Sequence, residues 1–166
     1  MSLIKSISGI RGTIGGKVDD NLTPVDVVKF TAAFGTWLQK TQNKKDLTLV
    51  IGRDARISGA MVNSLVTATL QGLGINVVDL GLSTTPTVEV MVPELNADGG
   101  IILTASHNPK QWNALKLLNE KGEFISGKDG AEMLEIAEKE DFNFAEVDDL
   151  GKYETRTDAF DIHIQK

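Results

Sequence analysis

Gly99-Gly100-Ile101-Ile102-Leu103-Thr104-Ala105-Ser106-His107-Asn108-Pro109 is an unbroken apolar run that stops in a small polar cluster. The residues Ile101 to Thr104, apolar or β-branched and bounded by glycines before and Asn-Pro after, predict a strand covered on both faces, as in a parallel sheet. In open α/β sheets ligands gather beyond the carboxyl ends of the strands. Ser106 is predicted at such an end, with His107 and Asn108 in the turn and Pro109 fixing the exit. The residues alone leave two readings open: a serine offered to a ligand, or a turn whose hydroxyl bonds the backbone.

Upstream, two more apolar runs alternate with helical patterns. Leu47 to Gly52 reads as a strand ending in Arg53-Asp54-Ala55-Arg56-Ile57-Ser58-Gly59, and Ile75 to Gly81 as the next. Between them Ser58 is predicted to cap a helix with the stripe Val62, Leu65, Val66, Thr69 and Leu73, closed by a left-handed Gly74. Strand, helix, strand with short joints is a βαβ unit, whose crossover is right-handed. Thr84-Thr85-Pro86 opens a short helix running to Val92, where Pro93 bends or ends it.

Nearer the N-terminus, Thr23-Pro24-Val25-Asp26 has the order of a cap, a first-turn proline and a first-turn acid, and predicts a helix to about Lys40. Its inner stripe is Val27, Phe30, Thr31, Phe34 and Leu38. Before it, Ser8-Gly9-Ile10-Arg11-Gly12 reads either as a flexible loop with a solvated arginine or as backbone that glycine lets approach a ligand. Downstream, Leu115 to Asn119 reads as a short strand. Ser126-Gly127-Lys128-Asp129 starts a helix with Ala131, Leu134 and Ala137 inward. Glu138 to Asp149 is an acidic, solvated connector, and Thr157 to Lys166 begins a helical pattern that runs out without a cap. These elements predict an α/β fold, a three-layer α/β/α sandwich on a mixed, mostly parallel sheet of about four strands.

Composition narrows the function classes. With 166 residues the chain has room for one ordinary domain. Its formal net charge of −6 disfavours nucleic acid and anionic membrane as partners, so any phosphate site depends on local arginines. No apolar run approaches a membrane span and no signal-peptide core is visible, which makes cytoplasm the expected compartment. The absence of cysteine excludes disulfides and thiolate metal sites.

The run Thr104-Ala105-Ser106-His107-Asn108-Pro109, followed by Trp112-Asn113-Ala114-Leu115-Lys116, resembles the active-site serine loop of the α-D-phosphohexomutase superfamily, the phosphoglucomutase and phosphomannomutase enzymes. Ser8 to Gly12 resembles that family's N-terminal arginine loop, Gly52 to Ser58 its Gly-Arg-Asp-x-Arg-x-Ser loop, and Thr84-Thr85-Pro86 lies in another recurring segment. The resemblance implies that Ser106 carries a phosphoryl group that is passed to a phosphosugar, with a bisphosphorylated intermediate. It makes Lys116 the acid/base candidate with Arg11 and His107 beside it, and Arg53, Asp54, Arg56 and Asn108 supports of the loop. Hexose 1,6-bisphosphate is the implied activator. Mg2+ is the implied cofactor, bound through the Ser106 phosphate and aspartates of an Asp-Gly-Asp-x-Asp-Arg loop that this sequence lacks. On this reading residues 1–150 are the family's first domain and residues 151–166 start the connection to a second, the remaining domains being the partners that complete the site. Ala114 stands where the family pattern has glycine, so the local turn is expected to differ.

Three alternatives remain at this level. The substrate is that of a phosphoglucomutase/phosphomannomutase or of a phosphoglucosamine mutase, or the chain is a non-catalytic phosphate-binding module. A serine hydrolase is disfavoured, because Thr-Ala-Ser-His-Asn is not a nucleophile elbow and His163 falls in the tail.

Overall fold

A computed structural model of the chain describes residues 1–6 and 9–166. Ser8, the first residue of the N-terminal arginine motif, lies outside the described residues. The strands are β1 (Ile4–Ser6), β2 (Gly9–Thr13), β3 (Thr48–Arg53), β4 (Asn76–Leu82), β5 (Gly99–Leu103), β6 (Trp112–Leu118) and β7 (Tyr153–Thr155). The helices are α1 (Pro24–Gln42), α2 (Gly59–Gly72), α3 (Thr85–Glu94), α4 (Gly127–Lys139) and α5 (Ala159–Ile164).

The sheet has seven strands in the order β1-β2-β6-β5-β3-β4-β7, more than the four expected. It is mixed but not mostly parallel. β5–β3, β3–β4 and β4–β7 run parallel, whereas β1–β2, β2–β6 and β6–β5 run antiparallel. The additional strands are short, glycine-rich or polar, which is why hydrophobic periodicity does not reveal them: β1 and β7 are exposed along their whole length.

Strand alternation divides the core into two layers. Leu49, Ile51, Ile101, Leu103, Leu115 and Leu117 face α1, α2 and α4, and Val50, Val78, Leu80, Ile102 and Leu118 face α3 and the start of α5. The three-layer α/β/α arrangement follows. β3 reaches β4 through α2 on one face, and β4 returns past β3 to β5 through α3 on the other. Crossovers of one hand that travel in opposite directions must use opposite faces.

α1 is fixed by a capping box in which the Thr23 hydroxyl accepts from Asp26 N at 3.4 Å and the Asp26 carboxylate accepts from Thr23 N at 3.1 Å. Its predicted stripe is buried, and so are Ala32, Ala33, Gly35 and Trp37, because α2 and α4 flank it on either side. Two local expectations need correction. In α4 the inner face is Gly130, Met133 and Ala137, rotated from the predicted one, and Ala131 is exposed. Ser58 precedes α2 without a capping hydrogen bond, its hydroxyl being used elsewhere. Pro93 lies inside α3, which ends at Glu94.

Candidate active site

The register of the sheet assembles the site. β5 lies between β3 and β6, with Leu103 opposite both Arg53 and Leu115, and Ile102 opposite Lys116. β2 runs beside β6, placing Arg11 opposite Ala114 and Gly9 opposite Lys116. Residues directly opposite, and residues two apart on a strand, share a face. Arg11, Ala114 and Lys116 therefore project on the α3 side of the sheet, where α3 packs on β3 and β5. Over β2 and β6 Arg11 stays exposed and Lys116 half-buried. Gly9 makes this close pairing feasible, since a Cβ there would stand 2.2 Å from the Leu115 carbonyl oxygen.

Beyond Leu103 the chain turns sharply. Ser106 has φ +52°, a left-handed conformation uncommon for a residue with a Cβ. The Thr104 hydroxyl stabilises the turn by accepting from Ser106 N at 3.2 Å while donating to Asp54 Oδ2 at 2.6 Å. The Ser106 hydroxyl faces the cleft and accepts from Lys116 Nζ at 2.8 Å. Together Arg11, Ser106, His107, Asn108 and Lys116 line a cleft of about 320 Å³ with Ala105, Pro109 and Ala114.

Behind the loop stands Arg56. Its guanidinium donates to the carbonyls of Ser106 (2.9 Å), Asn108 (2.8 Å), Pro109 (2.7 Å) and Trp112 (3.0 Å), and its Nε to Asp54 Oδ2 (3.2 Å). Asp54 in turn accepts from Arg56 N and from Thr104, so one carboxylate orients both the arginine and the serine turn. A planar five-donor fork suits several convergent acceptors in a way an ammonium does not.

Of the sequence-predicted residues, Ser106, His107, Asn108, Lys116 and Arg11 meet in the cleft, and Asp54 and Arg56 support it from behind. Arg53 does not join them; it lines a separate pocket between β3 and β4. His163 lies on α5, its Nδ1 hydrogen-bonded to Thr87 Oγ1 at 2.8 Å, away from the serine. Sequence reasoning did not single out Thr104 or Asn113. Asn113 is fully buried on β6, donates to the Ser58 hydroxyl at 2.9 Å and accepts from Ala114 N, tying the strand that carries Lys116 to the start of α2. A buried amide within an apolar strand is the signal that would have found it. Ala114 is ordinary strand backbone and not a positive-φ turn. Among the described residues no cluster of three or more His, Asp or Glu side chains is placed to hold a metal.

An ammonium and a guanidinium beside an exposed serine hydroxyl, in a loop fixed through its carbonyls, have the charge and donors that suit a phosphoryl group. Comparison with known proteins places the chain in a family. Residues 3–144 match the family model described as phosphoglucomutase/phosphomannomutase, alpha/beta/alpha domain I. The chain is 36% identical over 143 residues to the phosphoglucomutase/phosphomannomutase of Thermococcus kodakarensis, covering 85% of this chain and 31% of that protein. It is 34% identical over 150 residues to the phosphoglucosamine/phosphogalactosamine mutase of Sulfurisphaera tokodaii, covering 90% and 31%. In fold it is similar to the crystal structure of a phosphoglucomutase/phosphomannomutase family protein from Burkholderia thailandensis, with TM-score 0.78 and 24% identity over 96% of this chain and 34% of that one. The chain thus spans about a third of the length of the relatives it matches. It belongs to the phosphoglucomutase/phosphomannomutase family, as that family's alpha/beta/alpha domain I.

Proposed function

We propose that this chain is the phosphoryl-carrying part of a cytoplasmic phosphohexomutase, an intramolecular phosphotransferase that exchanges phosphate between positions 1 and 6 of a hexose phosphate. Ser106 holds the phosphoryl group between turnovers. The observation that carries this reading is the 2.8 Å hydrogen bond from Lys116 Nζ to Ser106 Oγ in a cleft that also contains Arg11.

The chemistry follows from charge. A phosphoserine brings about −1.5 to −2 charges at neutral pH, and phosphoryl transfer depends chiefly on positioning and neutralisation. Lys116 is within hydrogen-bond reach of the serine oxygen, so it is placed to give that oxygen a proton as phosphate leaves and to take the proton back as phosphate rejoins. Arg11 offers a second cation to the phosphoryl oxygens. His107 and Asn108 line the same cleft and complete its polar wall.

Mg2+ is part of the proposal, but the described residues do not form a metal site by themselves. The chain's own contribution would be the phosphoryl oxygens on Ser106, and the carboxylates belong to the rest of the protein, as do most contacts to the sugar. The relatives include a phosphoglucomutase/phosphomannomutase and a phosphoglucosamine/phosphogalactosamine mutase, and both substrate classes are compatible with this cleft. The test is to incubate the protein, joined to the remaining domains, with glucose 1,6-bisphosphate and Mg2+ and to map the phosphopeptide. Phosphate on Ser106 is expected. Phosphate on Ser83, Thr84 or Thr104 instead would refute the assignment.

A further inference from the structure

Two sequence features, Arg53 and Ser83-Thr84-Thr85-Pro86, are not used by the serine cleft. The fold brings them together at a second opening. Between Ile51 and Arg53 the pairing of β3 with β4 shifts register, and Gly81 adopts φ +69° on the opposing strand. Irregularities of this kind bend strands and re-aim side chains. Here the two strand ends part, one leading to α2 on one face and the other to α3 on the other face. That is the topological switch point of the parallel part of the sheet, where open α/β folds place ligands. The resulting pocket has a volume of about 350 Å³, comparable with the serine cleft.

Its lining is bipartite. Arg53 enters it with a single hydrogen bond, 3.3 Å to the Asp54 carbonyl, and among the described residues no carboxylate pairs with it. The neighbouring carboxylates are committed elsewhere, Asp54 to Thr104 and Arg56, and Asp158 to Arg156. Ser83 has one weak donation, 3.5 Å to the Thr84 carbonyl, and Thr157 also lines the pocket. Leu82 and Phe160 form an apolar rim and are 64% and 60% exposed. A guanidinium without a counter-charge, hydroxyl donors beside it and apolar walls match an anion on an organic body.

We propose that the pocket between β3 and β4 binds a small organic phosphate, with Arg53 as the anion contact, Ser83 and Thr157 as further donors, and Leu82 and Phe160 packed on the organic part. Phosphate is favoured over carboxylate because its three oxygens use the guanidinium and both hydroxyls at once. The site is independent of Ser106, so it stands or falls separately from the mutase reading.

The test is a titration of the 15N-labelled protein, followed by amide shifts, with phenyl phosphate, benzoate and inorganic phosphate as probes. Phenyl phosphate is expected to shift Ser83, Thr157 and Phe160 saturably, to bind about tenfold or more tightly than either other probe, and to do so equally in Ser106→Ala. Arg53→Gln is expected to weaken binding by about tenfold or more, and Phe160→Ala, at an exposed position, to weaken it severalfold with an unchanged fold. Shifts confined to His107 and Lys116, benzoate binding as tightly as phenyl phosphate, or full affinity in Phe160→Ala would each overturn the proposal.

Discussion

The serine loop and the C-terminal strap, β7 with α5, are both short segments attached to one sheet, and they are held in opposite ways. The loop is gripped through its main chain, by four carbonyls that all accept from Arg56. The strap pairs with β4 and is further held by a side chain, with the Tyr153 hydroxyl donating to Asp79 Oδ2 at 2.5 Å. Asp79 is buried and balanced by neutral donors, Gly81 N at 2.8 Å and Asn63 Nδ2 at 2.9 Å in addition to the tyrosine. The contrast follows from what each segment must leave free. A loop anchored by its carbonyls can turn its side chains toward a ligand, whereas the strap, paired with β4 through its main chain, can use the Tyr153 side chain as an anchor.

The largest effect is expected from removing the main-chain grip. Arg56→Met takes the guanidinium donor from the four loop carbonyls and from Asp54 Oδ2. It should lower Ser106 phosphorylation in the complete enzyme by about 100-fold or more, since an ångström of misplacement has that effect. Stability should fall by about 2 kcal/mol, as some of those carbonyls regain water. Arg56→Lys should rescue little, because a single ammonium cannot reach the same set of acceptors. A rate near wild type in Arg56→Met would show that the loop holds itself.

Lys116→Met separates chemistry from architecture. The residue is half-buried at the cleft and its ammonium meets the serine oxygen, so turnover should fall by about 100-fold while the melting temperature stays within a degree or two of wild type. Arg11→Ala should act in the same direction. A large loss of stability in either variant would make it a structural residue and weaken the contrast with Arg56.

The strap responds to pH. The hydrogen bond to Asp79, then burial, then repulsion from the Asp79 charge raise the Tyr153 hydroxyl from the ordinary 10.0 to about 12. A group whose pKa is higher in the folded state stabilises the fold while protonated. That contribution is complete below about pH 10 and is lost as the pH rises toward 12. Thermal melts should therefore drop over this interval, and Tyr153→Phe should shrink the drop while costing about 1 kcal/mol at neutral pH. An identical alkaline profile in the variant would place the titration elsewhere.

How much of this was legible in the sequence differs along the same divide. The buried β5, β3 and β4 announce themselves as apolar runs, and the starts of α1 and α3 as Thr-Pro pairs, because burial on both faces and helix starts each leave a local mark. β2 and β7 carry no such mark: one is broken by glycines, of which Gly9 lets it approach β6, and the other is a polar edge strand held by register with β4 and by Tyr153. Ser106, Lys116 and Arg11 were named by motif, but the Arg56 grip was not foreseeable in its form, because its acceptors are carbonyls and any residue supplies one. Arg53 was misplaced for a related reason. Only two residues separate it from Arg56, yet the strand end sends one side chain between β3 and β4 and the following turn sends the other behind the serine loop.

The smallest expected effect tests whether Ala114 compensates for anything. It stands where the family pattern has glycine, yet it sits in regular β6 opposite Arg11, 4% exposed, with its methyl on the floor of the serine cleft. Ala114→Gly should cost about 0.5–1 kcal/mol, because glycine loses more backbone freedom on folding and nothing here requires a positive φ. The methyl takes no part in the 2.8 Å hydrogen bond of Lys116 with Ser106, so that pairing should persist and phosphorylation of Ser106 should change by less than about threefold. Melting temperature and phosphorylation rate measured on the same preparations decide the matter. A gain in stability, or a tenfold change in rate, would mean that β6 is strained at this position and that the cleft depends on the methyl after all.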